Sequence, residues 1–151
     1  MSNQDGSSAA AIRAHHLELQ EGLRERVLAV EAAVRAGRDH GPAQAALRTF
    51  LDTELLPHAA AEERTLYPAG ARGDSALLVQ AMVEEHHRIV AHVEALRSAP
   101  DSLAAATAAA AIEALFEAHL WKENELLLAV LVADPAVSLT ELLAGMHELV
   151  G

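Results

Sequence analysis

Two short stretches carry the residues best suited to chemistry, His58-Ala-Ala-Ala-Glu62 and His119-Leu-Trp-Lys-Glu123. In a helix, positions i and i+4 lie on one face about one turn apart, so each stretch presents an imidazole beside a carboxylate. His16 and His86 stand in phase with the apolar positions around them. A carboxylate on an apolar face is unfavourable unless it is paired or binds a metal. Imidazole and carboxylate together suit iron, manganese or zinc. Four histidines and two carboxylates exceed the needs of one tetrahedral zinc and suit a dinuclear centre with two bridging carboxylates. A single histidine on a helix face is ordinarily a packed or partly exposed residue. One in-phase histidine per helix, with a duplicated His-x-x-x-Glu, sets this pattern apart.

Four helices must position these groups. The first is expected from about residue 9 to Arg35, capped by Ser7 or Ser8, with Ile12, His16, Leu19, Leu23, Val27, Val30 and Val34 on one stripe. Gly37 and Gly41-Pro42 end it and start the next. The second runs from about Ala43 to Tyr67, with Leu47, Leu51, Leu55, His58, Glu62 and Leu66 inward and a kink or break at Pro57. The third starts near Asp74 or Ser75 and carries Leu78, Val79, Met82, His86, Ile89, Val93 and Leu96. The fourth runs from about Leu103 to Val132, with Ile112, Leu115, His119, Glu123, Leu126 and Val130 inward. A short helix from about Leu139 to Leu149 closes the chain. The expected fold is all-α: an antiparallel, up-down-up-down four-helix bundle with a short C-terminal extra helix. Residues 1–8 are expected as a disordered tail and 9–151 as one domain.

Composition supports helices and excludes several functions. The 151 residues include 34 alanines, and aromatics make up only 3%, which argues against sheet. Cysteine is absent, which excludes a disulfide scaffold, a thiolate zinc site, an iron–sulfur cluster and a cysteine nucleophile. The net charge of -11, with Lys122 the one lysine, argues against nucleic acid or an anionic membrane surface as a partner. The longest charge-free apolar stretches, Leu103–Ile112 and Leu126–Ala133, fall short of a membrane span, and the first residues do not read as a signal peptide. A cytoplasmic protein is expected.

Four pieces, in order, give the chain a family resemblance: His15-His16; His58-Ala-Ala-Ala-Glu62-Glu63-Arg-Thr-Leu-Tyr-Pro68; Glu84-Glu85-His86; and His119-Leu-Trp-Lys-Glu123-Asn-Glu125. Over about residues 12–130 the chain resembles the hemerythrin-like, or HHE cation-binding, domains. The resemblance implies a four-helix bundle holding two iron ions in a non-haem centre with an oxo or hydroxo bridge. It implies His58 and His119 as terminal ligands, Glu62 and Glu123 as bridges, and His16 and His86 to complete the set. His15 competes with His16, and His87 with His86; the apolar stripes favour His16 and His86. Glu63 and Glu125 are expected as solvated neighbours or as acceptors for ligand N–H groups. Tyr67 is expected near the site or, ahead of that, in a structural role, and His40, His92 and His147 are expected to be structural or exposed.

One departure bears on function. The oxygen-carrying members have His-x-x-x-His on the third helix, whereas Val90 stands four residues after His86. Glu123 also lies one residue closer to its histidine than the carriers' carboxylate does. Reversible oxygen transport is therefore not expected. The expectation is binding or reduction of a small oxidant (dioxygen, peroxide or nitric oxide), with an iron-sensing or iron-storing module without turnover as the alternative. A ferritin-like oxidase needs Glu-x-x-His on two helices, and near the site only Glu84–His87 matches. A zinc hydrolase ranks low because His-Glu-x-x-His is absent.

Overall fold

The computed structural model describes residues 3–150, and its regular structure is entirely helical. Helix α1 spans Asn3–Arg35, α2 Gly41–Phe50, α3 Leu56–Arg64, α4 Leu66–Gly70, α5 Ala76–Arg97, α6 Ser102–Lys122, α7 Leu128–Ala133 and α8 Leu139–Val150. A π-helical turn at Leu51–Leu55 joins α2 to α3, and another at Glu123–Leu127 joins α6 to α7. Helix α1 packs against α2 and α6, α6 also packs against α5, and α8 lies against α1 and α3.

The helix ends follow local chemistry. Gly37 takes a φ of 63, the left-handed region, and the Arg38 N–H donates to the Ala33 carbonyl at 2.9 Å. Asp101 caps α6 by accepting from the Ala104 N–H at 2.8 Å. Pro57 has no N–H to donate to Thr53. The widened turn before it absorbs that loss, with the Leu56 N–H reaching Leu51. The expected kink at Pro57 is thus a π turn. A true break comes at Thr65, with φ -123 and ψ -76. Pro68 cannot donate to Arg64, so α3 ends there and α4 restarts at an angle that buries Tyr67.

Two expectations are corrected. Residues 3–8, expected within a disordered tail, form the opening turns of α1 and are tied to α8. The Leu139 N–H donates to Asp5 Oδ1 at 3.1 Å, and the Ser8 and Thr140 hydroxyls lie 3.0 Å apart. Neither Ser7 nor Ser8 is therefore a helix cap. The second correction concerns the fourth stripe. Leu126 and Val130 are exposed, while Leu127 and Leu131 are buried. The π turn inserts one extra residue, and at 3.6 residues per turn that rotates the following helix by about 100°. Joined through this turn, Ser102–Ala133 is a helical segment of 32 residues, close to the expected fourth helix, and it is long and apolar enough by length and composition to cross a membrane, which its two charge-free stretches taken singly are not. Its inward face carries His119 and Glu123.

Apolar side chains form two clusters. One holds Leu23, Val27, Leu51, Ile89, Val93, Ile112 and Phe116; the other holds Ile12, Leu66, Tyr67, Met82, Leu127 and Leu131. Gly70 sits at a close approach in the second, where a Cβ would lie 2.5 Å from Leu127 Cδ1 and 3.2 Å from Val79 Cγ2. Leu127 is fully buried and ends the π turn, so it has no room to yield. Gly70→Ala should destabilise the fold by about 1–3 kcal/mol, measured by chemical denaturation; an unchanged midpoint would show that the packing relaxes freely.

Candidate metal centre

The structure brings the six sequence-derived residues together. His16 comes from α1, His58 and Glu62 from α3, His86 from α5 and His119 from α6, while Glu123 opens the second π turn. All six are buried, with Glu62 1% and Glu123 0% exposed. The stripes place them because each side chain replaces an apolar one at an inward position. His16 Nε2 lies 3.2 Å from Glu62 Oε1 and 3.5 Å from Glu123 Oε1. His58 Nε2 meets Glu62 Oε1 one helical turn on. His86 Nε2 is 3.5 Å from Glu62 Oε2, and His119 Nε2 is 3.3 Å from Glu123 Oε2.

Two triads have ligand atoms close enough to hold a cation. One is His16, His58 and Glu62; the other is Glu62, His86 and His119. Glu62 belongs to both, each of its oxygens facing one triad. Glu123 lies near His16 with one oxygen and near His119 with the other, so it too reaches from one triad to the other. His15 and His87, the competing neighbours, are largely exposed, with side-chain exposures of 49% and 65%. His40 and His92 are half-buried and His147 is exposed, and none of the three joins a triad.

The protonation balance follows from crowding. Burial alone would lower the His16 imidazole, but its hydrogen bond to Glu62 and the charges of Glu123 and Glu62 raise it to about 9. Burial also works against His86, and the Glu62 and Glu63 carboxylates outweigh it, so His86 is raised too. Burial pushes Glu62 up, yet the charge of His58 and hydrogen bonds with His16, His58 and His86 hold it well below the usual carboxylate range. Burial and the Glu62 charge push Glu123 up. Two buried carboxylates thus stand among four buried imidazoles, of which His16 and His86 are raised, and a cation at the carboxylates removes the need for those two protons. Glu123 Oε1 is buried and makes no hydrogen bond, as befits a donor set built for something other than itself.

Sequence reasoning undervalued Tyr67. Its hydroxyl is buried at the centre, 2.9 Å from His119 Nε2, 3.2 Å from His86 Nε2 and 3.3 Å from both Glu62 Oε2 and Glu123 Oε2. Burial and the two carboxylates push its phenol well above the ordinary range. The available signal was its place next to Pro68, five residues after Glu62. Glu63 accepts from His86 Nδ1 at 2.8 Å, as expected for an acceptor, whereas Glu125 is exposed. Asn124 Oδ1, 2.7 Å from His16 Nδ1, takes the acceptor role that position 125 does not. A cavity of about 240 Å³ opens beside the centre, with His58, Glu62 and His86 on its wall and Leu55, Ile89 and Phe116 around them. Val90, where a fifth histidine would stand, is 43% exposed and lines it.

An all-helical chain that buries a shared carboxylate between two histidine triads is a cation-binding helical protein. The chain belongs to the hemerythrin HHE cation-binding domain family, whose profile matches residues 7–147. No curated protein and no solved structure matches it.

Proposed function

We propose that this chain holds two iron ions in a non-haem centre and binds or reduces a small oxidant: dioxygen, peroxide or nitric oxide. The observation that carries the reading is Glu62, whose two oxygens face two separate triads. His16 and His58 would hold one ion and His86 and His119 the other, with Glu62 and Glu123 between them and an oxo or hydroxo group completing the bridge. Tyr67 offers an oxygen donor beside His86 and His119. Four long helical segments in up-down-up-down order, α1, α2–α3, α5 and α6–α7, would form the frame. An iron pair supplies or accepts two electrons by cycling between ferrous and ferric states. The protein's part is to fix the donors, to keep bulk water away and to admit the oxidant.

The cavity beside His58, Glu62 and His86 favours an oxidant over a closed iron store, because it gives a small molecule a way to the donors. On this reading the protein acts in the cytoplasm, with neither nucleic acid nor membrane as a partner. Elemental analysis after anaerobic reconstitution with ferrous iron should give about two irons per chain, the number that two triads sharing one carboxylate can hold. A reproducible ratio of one or less would reject the dinuclear reading. Consumption of peroxide by the loaded protein separates turnover from sensing.

A further inference from the structure

We infer that the two metal positions are unequal, the one at Glu62, His86 and His119 holding its ion tightly and the one at His16, His58 and Glu62 exchanging it. The inference rests on the two-metal reading above and concerns groups behind the imidazoles. An imidazole that binds a cation through Nε2 carries its proton on Nδ1, and the acceptor of that proton fixes the ring and raises its basicity. A carboxylate does this more strongly than a neutral amide, because a hydrogen bond to an ionised group is stronger.

Both histidines of the second triad face carboxylates. His86 Nδ1 lies 2.8 Å from Glu63 Oε1. His119 Nδ1 is buried without a hydrogen bond, and 3.9 Å away Glu85 Oε2 is also buried without one. Lys122 Nζ, 2.8 Å from Glu85 Oε1, holds that carboxylate in place. Two unsatisfied buried groups so close are a hydrogen bond left open, and a cation on His119 Nε2, by putting the proton on Nδ1, closes it. Glu85 is in this sense a positioning residue for His119. The first triad is held differently. His16 Nδ1 faces the neutral Asn124 amide at 2.7 Å. Among the described residues His58 makes no side-chain hydrogen bond through Nδ1, and its ring walls two cavities. The second cavity, about 130 Å³, lies on its other side against His15, Met146 and His147. The first cavity reaches His86 as well, so the second is the approach for water and chelators that this position has and the other triad lacks.

The test is release of metal to a chelator. Protein loaded with two equivalents of ferrous iron under argon is mixed with excess ferrozine, and the coloured chelate is followed in time. Two phases of equal amplitude are expected, separated by about tenfold or more in rate. Glu63→Gln and Glu85→Gln should each speed the slow phase by about tenfold and leave the fast one alone, while Asn124→Ala should speed only the fast phase. A merely structural role for these residues would move both phases together and overturns the inference, as does a single phase from two equivalents. Wild-type protein that takes up one equivalent or none rejects the two-metal reading itself, and the inference with it.

Discussion

A Glu62→Gln variant should come out of iron reconstitution with both positions depleted, each binding iron more than about 100-fold more weakly than in the parent protein. Glutamine keeps the size of the side chain, so the bundle stays packed, but a neutral amide with one oxygen cannot neutralise and join two cations. Loss of a partner behind a ligand already weakens metal binding by about 10–100-fold, and loss of a shared ligand removes more. His58→Ala is the informative contrast. It touches only the triad of His16, His58 and Glu62, so it should leave about one iron per chain, at Glu62, His86 and His119. Elemental analysis of both variants, with circular dichroism to verify the fold, decides the matter. A Glu62→Gln protein that still carries two irons would show that Glu62 is not shared.

Metal loading should raise the thermal midpoint, and the rise should widen between pH 6.5 and 9. At a free metal concentration about 100 times the dissociation constant, binding adds about 2.7 kcal/mol, worth on the order of 5–10 °C in a chain of this length. The pH dependence comes from His16, raised to about 9 in the folded, metal-free protein. A raised imidazole stabilises the fold fully below its unfolded value near 6.5, and that contribution is lost as pH climbs through 9. His86 is raised in the same sense. Metal needs both imidazoles unprotonated, so at pH 6.5 it must displace protons that at pH 9 are already leaving. The apo midpoint should thus fall across the window while metal binding tightens. Glu62 works in the other direction, stabilising above the usual carboxylate range and losing its effect as pH falls below it, outside this window. Differential scanning calorimetry of apo and ferrous protein at three pH values tests both points. Equal midpoints would refute metal-linked stability, and an increment that shrinks as pH rises would refute the protonation argument.

The site was legible to the extent that its residues obey the helical period. His16, His58, Glu62, His86, His119 and Glu123 each stand where an apolar residue would otherwise face the core, and all six are buried. The same period separated His16 from His15 and His86 from His87, because neighbours on a helix point about 100° apart. The closing Gly37 was legible because the end of a helix is local chemistry.

What the period could not show lies where a helix departs from it or where a contact joins distant segments. The π turn at Glu123–Leu127 has no proline to announce it, and it exchanged Leu126 and Val130 for Leu127 and Leu131 on the inward face. Residues 3–8 read as a polar tail because their partners, Leu139 and Thr140, lie more than 130 positions away. Tyr67 reached the centre only through the break at Thr65, and Glu85 faces His119 only because α5 packs against α6. The sequence by itself determined the helices, the inward stripes and the six polar residues in them, since these depend on spacing within a few turns. Tertiary structure decided which oxygens and nitrogens meet, that Glu62 is shared, that Tyr67 stands among the donors, and which imidazoles are backed by carboxylates. Those depend on how separate helices are rotated and placed, and packing across the whole core sets that.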